Sequence, residues 1–183
     1  MDNQEELQII QRICAGEINL FSIFLHRYGN DIFSLIVRIV SSKEDAEELT
    51  QDVFLKAFKK LNTFQGKSSF STWLYRIAYN TAISATRKNK QKFFYFDETL
   101  IDKIPDEHVD MLFEKDENED LLSKLQGSLK RLDAEEMMLL TLYYSKDKKI
   151  NDIAAIMNLS ADNVKIKLYR VRKKLYFIMN NSN

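Results

Sequence analysis

Glycine and proline are scarce in this chain, and that scarcity restricts its possible folds more than any other feature. The 183 residues include four glycines and one proline, Pro105. Both residue types mark turns and interrupt helices, so a chain that nearly lacks them favours long helices. Apolar residues make up 45% of the sequence, which is enough to fill packed cores. The sequence therefore predicts an all-α protein.

Charge is segregated along the chain although the formal net charge is zero. Residues 1–96 carry 13 basic and 10 acidic side chains, a net of +3. Residues 97–120 carry 2 basic and 11 acidic side chains, a net of −9. Residues 121–183 carry 12 basic and 6 acidic side chains, a net of +6. An acidic block that repels itself is typical of an extended linker. We therefore expect two small helical domains, residues 1–92 and 121–183, joined by an acidic flexible linker over residues 93–120.

Nothing in the sequence predicts export or direct membrane insertion. The first residues, MDNQEE, are acidic, and no apolar run approaches the roughly 18 residues of a membrane span. Cys14 lies at helical spacing with Ile10 and Ile13, which predicts a buried thiol. A single cysteine cannot form an internal disulfide, as expected in a reducing cytoplasm. We expect a cytoplasmic protein.

The stretch from Phe64 to Asn80, FQGKSSFSTWLYRIAYN, combines aromatic rings, hydroxyls and a basic side chain. No acidic residue lies between Asp52 and Asp97, whereas nine basic residues do. These are Lys56, Lys59, Lys60, Lys67, Arg76, Arg87, Lys88, Lys90 and Lys92. Cations follow phosphates and rings stack on unpaired bases, so this pattern favours single-stranded nucleic acid as a ligand. The plainer alternative is a helix with aromatics in a core and solvated lysines.

Helical periodicity predicts which side chains of the first-domain helices are buried and which are exposed. The helix over Asp45–Phe58 has an apolar stripe and, on another face, Leu55 among acids. That face is either solvated or docks a basic helical partner around the leucine. In the second helix, Leu25 is expected on the buried face. The helix that follows the polar turn is expected to bury Trp73 and to present, on its other side, Thr72, Arg76, Asn80, Ile83 and Arg87.

The second domain ends in a predicted helix-turn-helix. Asp133 and Glu136 form a capping box that starts an earlier helix. A short helix from Ile150, a turn at Asn158 and an N-cap at Ser160 precede a last helix with a basic surface. That surface carries Lys165, Lys167, Tyr169, Arg170, Arg172, Lys173 and Lys174. A basic second helix of this kind enters the DNA major groove, and the alternative is an ordinary helical hairpin.

Three segments in this order resemble a bacterial RNA polymerase sigma factor of the extracytoplasmic-function (ECF) type. DAEELTQDVFLKAF at Asp45–Phe58 resembles the family's polymerase-binding helix. FQGKSSFSTWLYRIAYN resembles its segment for melting and reading the −10 promoter element. INDIAAIMNLSADNVKIKLYRVRKKL at Ile150–Leu175 resembles its reader of the −35 element.

The resemblance implies roles for the matching positions. Contacts to the polymerase clamp would come from Asp45, Glu48, Gln51, Asp52 and Leu55. The −10 single strand would be held by Phe64, Lys67, Ser68, Ser69, Phe70, Arg76, Asn80, Arg87 and Lys88. The −35 element would face Ser160, Asn163, Lys165, Lys167, Tyr169, Arg170 and Lys174. Implied partners are the beta and beta-prime subunits of core RNA polymerase, promoter DNA and an anti-sigma factor, and the linker would thread into the polymerase channels.

This chain departs from the family pattern at two places. Asp133 stands where many relatives have a proline, and its capping box supplies a substitute helix start. Lys165-Ile166-Lys167 replaces an arginine-rich pattern, and lysine is a poorer bidentate reader than arginine. The family's −35 preference is therefore not carried over.

Two other classes of function compete with this interpretation. A one-component helix-turn-helix regulator acting without polymerase would leave the basic aromatic stretch of the first domain unexplained. An enzyme would need a catalytic or metal site, and none assembles. His26 and His108 have no ligand-spaced partners, and there is no glycine-rich phosphate loop. We therefore expect no catalytic residue, metal or cofactor.

Overall fold

The computed structural model describes residues 2–40, 42–88, 104–105 and 119–181, and all regular secondary structure in these ranges is helical. The all-α prediction is confirmed for these ranges. Their α-helices are α1 Asn3–Cys14, α2 Phe21–Ile36, α3 Lys43–Lys60, α4 Phe70–Lys88, α5 Glu119–Leu129, α6 Ala134–Leu140, α7 Ile150–Met157 and α8 Ala161–Asn181. Short 3₁₀ turns cover Ile18–Leu20 and Leu61–Thr63, and a π-helical turn, Thr141–Ser145, continues α6. Most of the predicted linker lies outside the described residues.

Helices α1 to α4 form a first unit around an aromatic core. Phe24 of α2 and Phe70 of α4 are fully buried, with ring centroids 4.3 Å apart. Phe21 meets Phe54 of α3 edge to face at 6.4 Å. Such aromatic pairs contribute about 0.5–1.5 kcal/mol beyond the area they bury. The small side chain of Ala57, also fully buried, belongs to the α3 stripe that closes this core.

Side chains cap the starts of α3 and α8, and the cap predicted at Ser160 is confirmed. Ser42 Oγ accepts a hydrogen bond from the backbone N–H of Asp45 at 3.0 Å. Ser160 Oγ accepts from the N–H of Asn163 at 3.1 Å. Between α7 and α8, Asn158 adopts a left-handed conformation with φ 58°, which asparagine tolerates better than most residues. The helix-turn-helix geometry follows from this turn and cap.

Helix α8 is the centre of the second unit and packs against α5, α6 and α7. Its buried face extends further round than predicted. Lys174 is only 8% exposed, and its ammonium donates to both carboxylate oxygens of Glu136 at 2.8 and 2.7 Å. Lys173 is buried as well. The prediction that these two lysines lie on the outer basic surface is wrong, because Lys174 reaches back to the N-terminus of α6.

Cys14 and Leu25 are also placed differently from the prediction. Cys14 is exposed, so the predicted buried thiol is wrong. The buried face of α1 is formed by Glu6, Ile10 and Ile13. Cys14, the last residue of the helix, lies outside this face. Leu25, expected to be buried, is 43% exposed.

The two units are docked on each other, with α7 lying against α4. Thr72 of α4 donates to an Asp152 carboxylate oxygen of α7 at 3.2 Å. The Lys146 ammonium donates to Asp31 of α2 at 2.6 Å. Thr72 and Ile83, predicted on an open side of α4, are buried. For Thr72 the reason is the second unit, whose covering of α4 the sequence did not predict.

Lys148 of the second unit contacts α4 at this junction. Its ammonium donates to Ser71 Oγ at 3.1 Å and lies 4.8 Å from the centroid of the Tyr75 ring. Burial lowers the pKa of Lys148, against the opposing attraction of Asp152. Burial also raises the pKa of Tyr75 well above its ordinary value. Both shifts reflect water excluded from the junction between α4 and the second unit.

The capping box of α6 gives a direct test of the fold. Asp133 Oδ1 accepts from the Glu136 N–H, and Glu136 Oε2 accepts from the Asp133 N–H, both at 2.8 Å. Replacing Asp133 by alanine removes the acceptor and should lower the free energy of unfolding by about 0.5–2 kcal/mol. Asp133→Asn keeps an acceptor and should retain most of the stability. Chemical denaturation followed by circular dichroism measures both, and equal losses would contradict a capping role.

Candidate nucleic-acid interface

A polar turn between the Leu61–Thr63 turn and α4 forms one wall of the candidate site. Gly66 has φ +68°, in the left-handed region that favours glycine. A Cβ at this position would also lie 3.2 Å from Leu7 Cδ2 of α1. The backbone angle therefore favours glycine, and a Cβ would in addition press on the Leu7 side chain. The turn is held against the first helix.

A cavity of about 240 Å³ opens between this turn and α1. Its lining residues are Asn3, Glu6, Leu7, Phe64, Gly66, Lys67, Ser68, Ser69 and Phe70. The structure thus brings together five predicted −10 residues, those from Phe64 to Phe70. Sequence reasoning missed the contribution of α1. The available signal was Glu6, a charged residue on the buried stripe that continues through Ile10 and Ile13.

Glu6 is the buried charge of this cavity. It is 3% exposed, its Oε1 accepts a hydrogen bond from the Tyr28 hydroxyl, and Arg27 Nε lies 3.6 Å from the same oxygen. Burial, assisted by the hydrogen bond to Glu6, raises the pKa of Tyr28 to about 12. The tyrosine therefore remains a neutral donor at physiological pH. These contacts fix the carboxylate in the cavity wall.

The aromatic residues of the cavity divide into core and surface. Phe70 is 1% exposed and belongs to the core of the first unit. Trp73 packs between Phe64 and Phe70, with centroid distances of 5.4 and 5.6 Å, as expected for a packing residue. Phe64 is half-buried, with its ring edge-on to Phe70 at 5.7 Å. Phe64 is thus the ring with surface left for a ligand.

The remaining −10 candidates lie along α4, outside the cavity lining. Arg76, Asn80 and Arg87 are exposed. Asn80 follows Phe70 by ten residues, which places it about 15 Å further along the helix axis. These side chains would therefore contact the part of a bound strand that extends outside the cavity. The side chain of Lys88 lies outside the described residues.

The −35 candidates lie mainly on the outer surface of α8. The exposed positions of this set are Ser160, Asn163, Lys165, Lys167, Tyr169 and Arg170. Lys174 is the exception, because it is buried against Glu136. Arg172 donates to the Tyr144 hydroxyl at 2.6 Å, so it is already engaged within the protein.

The acidic face of α3 forms a separate surface. Asp45, Glu48, Gln51, Asp52 and Leu55 are all exposed. Leu55 exposes 52% of its surface among these polar side chains. This is the arrangement expected of an apolar anchor with a polar rim, although an isolated exposed leucine is common on protein surfaces.

One carboxylate joins the two candidate DNA surfaces. Glu135 of α6 meets Arg87 of α4 at 3.3 Å and Lys167 of α8 at 3.9 Å. Arg87 belongs to the −10 set and Lys167 to the −35 set. In the docked arrangement, a single negative charge therefore neutralises part of both surfaces.

The described ranges contain neither a candidate metal site nor a candidate membrane span. No cluster of three histidine, cysteine or acidic side chains is arranged to hold a metal ion there. No helix within these ranges is long and apolar enough to cross a membrane.

This chain is similar to known sigma factors. The family model for sigma-70 region 2 matches residues 24–92, and that for sigma-70 region 4 matches residues 122–175. The RNA polymerase sigma-H factor of Pseudomonas aeruginosa is 29% identical, over 96% of this chain and 94% of that protein. The ECF RNA polymerase sigma-E factor of Escherichia coli is 28% identical, over 91% of this chain and 90% of that protein. SigW of Bacillus subtilis, also an ECF sigma factor, is 25% identical, over 91% and 92%.

Solved structures share the fold. CnrH in complex with the cytosolic domain of CnrY has a TM-score of 0.66 at 18% identity, over 96% of this chain and 97% of that one. The sigma factor RpoE of Bartonella quintana, in complex with the anti-sigma factor NepR, has a TM-score of 0.63 at 20% identity, over 89% and 98%. At this level of identity the likeness concerns the fold.

The bridging carboxylate yields a prediction about nucleic-acid affinity. Glu135→Gln should strengthen binding of duplex DNA, because it releases Arg87 and Lys167 for phosphates. The pairs are largely exposed, so we expect a gain of up to about 1 kcal/mol, roughly fivefold in Kd. Fluorescence anisotropy of labelled DNA at low salt measures it.

Glu44→Gln is the matched control, since it removes the same charge from an exposed position of α3. If both variants gained equally, net charge alone would explain the effect and the bridge would be unimportant.

Proposed function

The chain belongs to the sigma-70 family of RNA polymerase sigma factors, in the ECF group, and from this premise we propose how its surfaces divide the work of initiation. As a sigma factor it directs core RNA polymerase to promoters. The observation that carries this function is the order of the two matches, region 2 over residues 24–92 and region 4 over residues 122–175. A regulator that acts without polymerase is not favoured, because the curated relatives are named sigma factors.

The proposed division follows three segments. Residues 1–92 bind the polymerase clamp and open the −10 element. Residues 93–120 connect this domain to residues 121–183, which read the −35 element. The chemistry of RNA synthesis belongs to the polymerase, and this chain contributes binding energy and position. It works in the compartment that holds the polymerase and DNA.

The acidic face of α3 is the proposed polymerase contact. Leu55 is its apolar anchor, and Glu48, Gln51 and Asp52 form a polar rim that complements a basic partner. Interfaces of this kind concentrate binding energy in a few central residues surrounded by nearly neutral contacts. Because the face makes no contribution to the core of the first unit, its substitution should separate binding from folding.

The cavity beside the Gly66 turn is the proposed site for a base of the melted −10 strand. A base must leave the duplex before a protein pocket can hold it, at a cost of a few kcal/mol. Stacking on an aromatic ring returns about 1–3 kcal/mol per base. Phe64 supplies the accessible ring, and Lys67 supplies a cation beside the cavity. Arg76 and Arg87 continue the positive surface along α4 for the strand backbone.

The outer surface of α8 is the proposed reader of the −35 element. Lys165 and Arg170 are candidates for base edges, while Lys167 is suited to phosphate. Each well-formed base contact is worth about 1–3 kcal/mol of discrimination. Lys174 is not part of this surface, since it is paired with Glu136 inside the second unit.

An anti-sigma factor is the proposed regulatory partner. RpoE of Bartonella quintana, which shares the fold, was solved in complex with the anti-sigma factor NepR. The docking of α7 on α4 brings both DNA surfaces close together through Glu135, so one partner would reach both at once. Pull-down with core polymerase followed by run-off transcription tests the central function without assuming this partner.

The proposed polymerase-binding surface can be tested by shortening one side chain. Leu55→Ala should weaken assembly with core polymerase by about 5- to 30-fold, as expected for a central anchor worth 1–2 kcal/mol. The thermal midpoint should hardly change, because the side chain is half exposed. Leu122→Ala is the control, since Leu122 of α5 is similarly exposed. Equal assembly by both variants, measured by fluorescence titration, would exclude this face.

The melting role predicts a defect confined to strand opening. Phe64→Ala should leave closed-promoter binding nearly intact but reduce permanganate reactivity of promoter thymines by about 5- to 100-fold, because stacking is lost. A pre-melted promoter should restore much of the activity. Phe64→Tyr keeps the ring and should open promoters normally. Normal opening by Phe64→Ala on duplex DNA would show that the cavity does not hold the melted strand.

A further inference from the structure

Glu6 contributes to the candidate base cavity from outside the part of the chain that the family models match. Region 2 is matched from residue 24 onward, whereas α1 ends at Cys14. Three of the cavity's lining residues nevertheless belong to α1: Asn3, Glu6 and Leu7. The wall opposite the Gly66 turn is therefore formed by the N-terminal helix, which precedes the matched region.

The Glu6 carboxylate has spare capacity to accept hydrogen bonds. An ionised carboxylate offers about four acceptor positions and no donor. Within the described residues, both recorded partners, the Tyr28 hydroxyl and Arg27 Nε, meet Oε1. A buried charged group is costly unless polar partners compensate it. Donors that enter the cavity would complete the solvation of this carboxylate.

We propose that Glu6 reads the exocyclic amino group of the flipped base and selects cytosine over thymine at that position. A carboxylate accepts from the N4 amino group of cytosine. Thymine has the same ring size but presents the O4 acceptor there, so two acceptors would face each other. The inference rests on the proposed function of the cavity as the site for a melted base.

The other cavity residues are compatible with this role. Phe64 offers a ring face, which stacks on any base and so does not discriminate between them. The hydroxyls of Ser68 and Ser69 both donate and accept. Ser69 Oγ already interacts with Ser71 and Thr72, at 3.0 and 2.9 Å. Among the lining side chains Glu6 is thus the one that only accepts hydrogen bonds, and the one best suited to reject thymine.

The test uses holoenzyme assembled from the full chain and core RNA polymerase. It is mixed with a pool of promoter-length duplexes whose pre-melted bubble is randomised on one strand, and bound DNA is sequenced. At one bubble position, the wild-type protein should deplete thymine relative to cytosine by about 5- to 100-fold. Glu6→Gln should remove most of that depletion, since its amide can donate to O4, and should leave the other positions unchanged.

Tyr28→Phe is the matched control for a purely structural role. It removes the hydrogen bond to Oε1 but keeps the carboxylate, so it should lower the thermal midpoint and retain the depletion of thymine. A DNA-side measurement needs no protein variant: cytosine at the selected position is replaced by 2-pyrimidinone, which lacks the amino group. Wild-type holoenzyme should then lose affinity by a similar factor.

Several results would overturn the inference. Unchanged base preference in Glu6→Gln, equal weakening of all four bases, or full affinity for 2-pyrimidinone would each exclude Glu6 as the reader. These results would leave the cavity's proposed role intact if Phe64→Ala still impaired opening. If wild-type holoenzyme enriched no bubble sequence at all, the proposed function itself would fail, and the inference with it.

Discussion

Helix α4 packs on two sides at once, and the arrangement of the rest of the molecule depends on this. One side buries Phe70 against Phe24 of α2, and the other side receives α7 of the second unit. Apolar side chains of both units consequently join in one continuous buried cluster. Because α4 also begins at the cavity and carries exposed basic residues, its packing fixes where the candidate site lies.

Polar contacts between specific side chains lie at the edges of the junction between the two units. Thr72 with Asp152 and Lys146 with Asp31 set the register of α7 on α4. Exposed pairs of this type usually contribute up to about 1 kcal/mol each. Water screens a partly buried pair less, but burying its charges costs desolvation energy. Lys148 illustrates the cost, since burial lowers the pKa of its ammonium. The docking thus combines apolar burial with polar contacts between the two units.

Charge explains why a chain of zero net charge can serve as a DNA-binding factor. The acidic and basic residues are grouped along the sequence, and in the folded protein individual acids such as Glu135 pair with basic residues from both units. The basic surfaces of α4 and α8 are produced by side chains that project from helices whose other faces are buried. Net charge therefore describes solubility here, while local geometry determines which ligands bind.

The sequence by itself determined the helices, their starts and the family. Periodicity, the Ser160 cap, the Asp133 box and the three motifs are local features, readable within a few residues of each other. The sequence also predicted the five cavity residues from Phe64 to Phe70, since they lie in one short segment. It did not determine which polar groups face inward: Lys174 was assigned to the wrong surface, and Cys14 to the core.

Only the tertiary structure decided the contacts between distant segments. Glu6 enters the cavity wall more than 50 residues before the turn that it faces, and α7 covers Thr72 across 80 residues of chain. Such contacts depend on how helices orient around a shared core, which helical spacing within one segment does not specify. A charged residue on a buried stripe, as Glu6 is, indicates that a partner exists, but its identity emerges only when the helices are packed together.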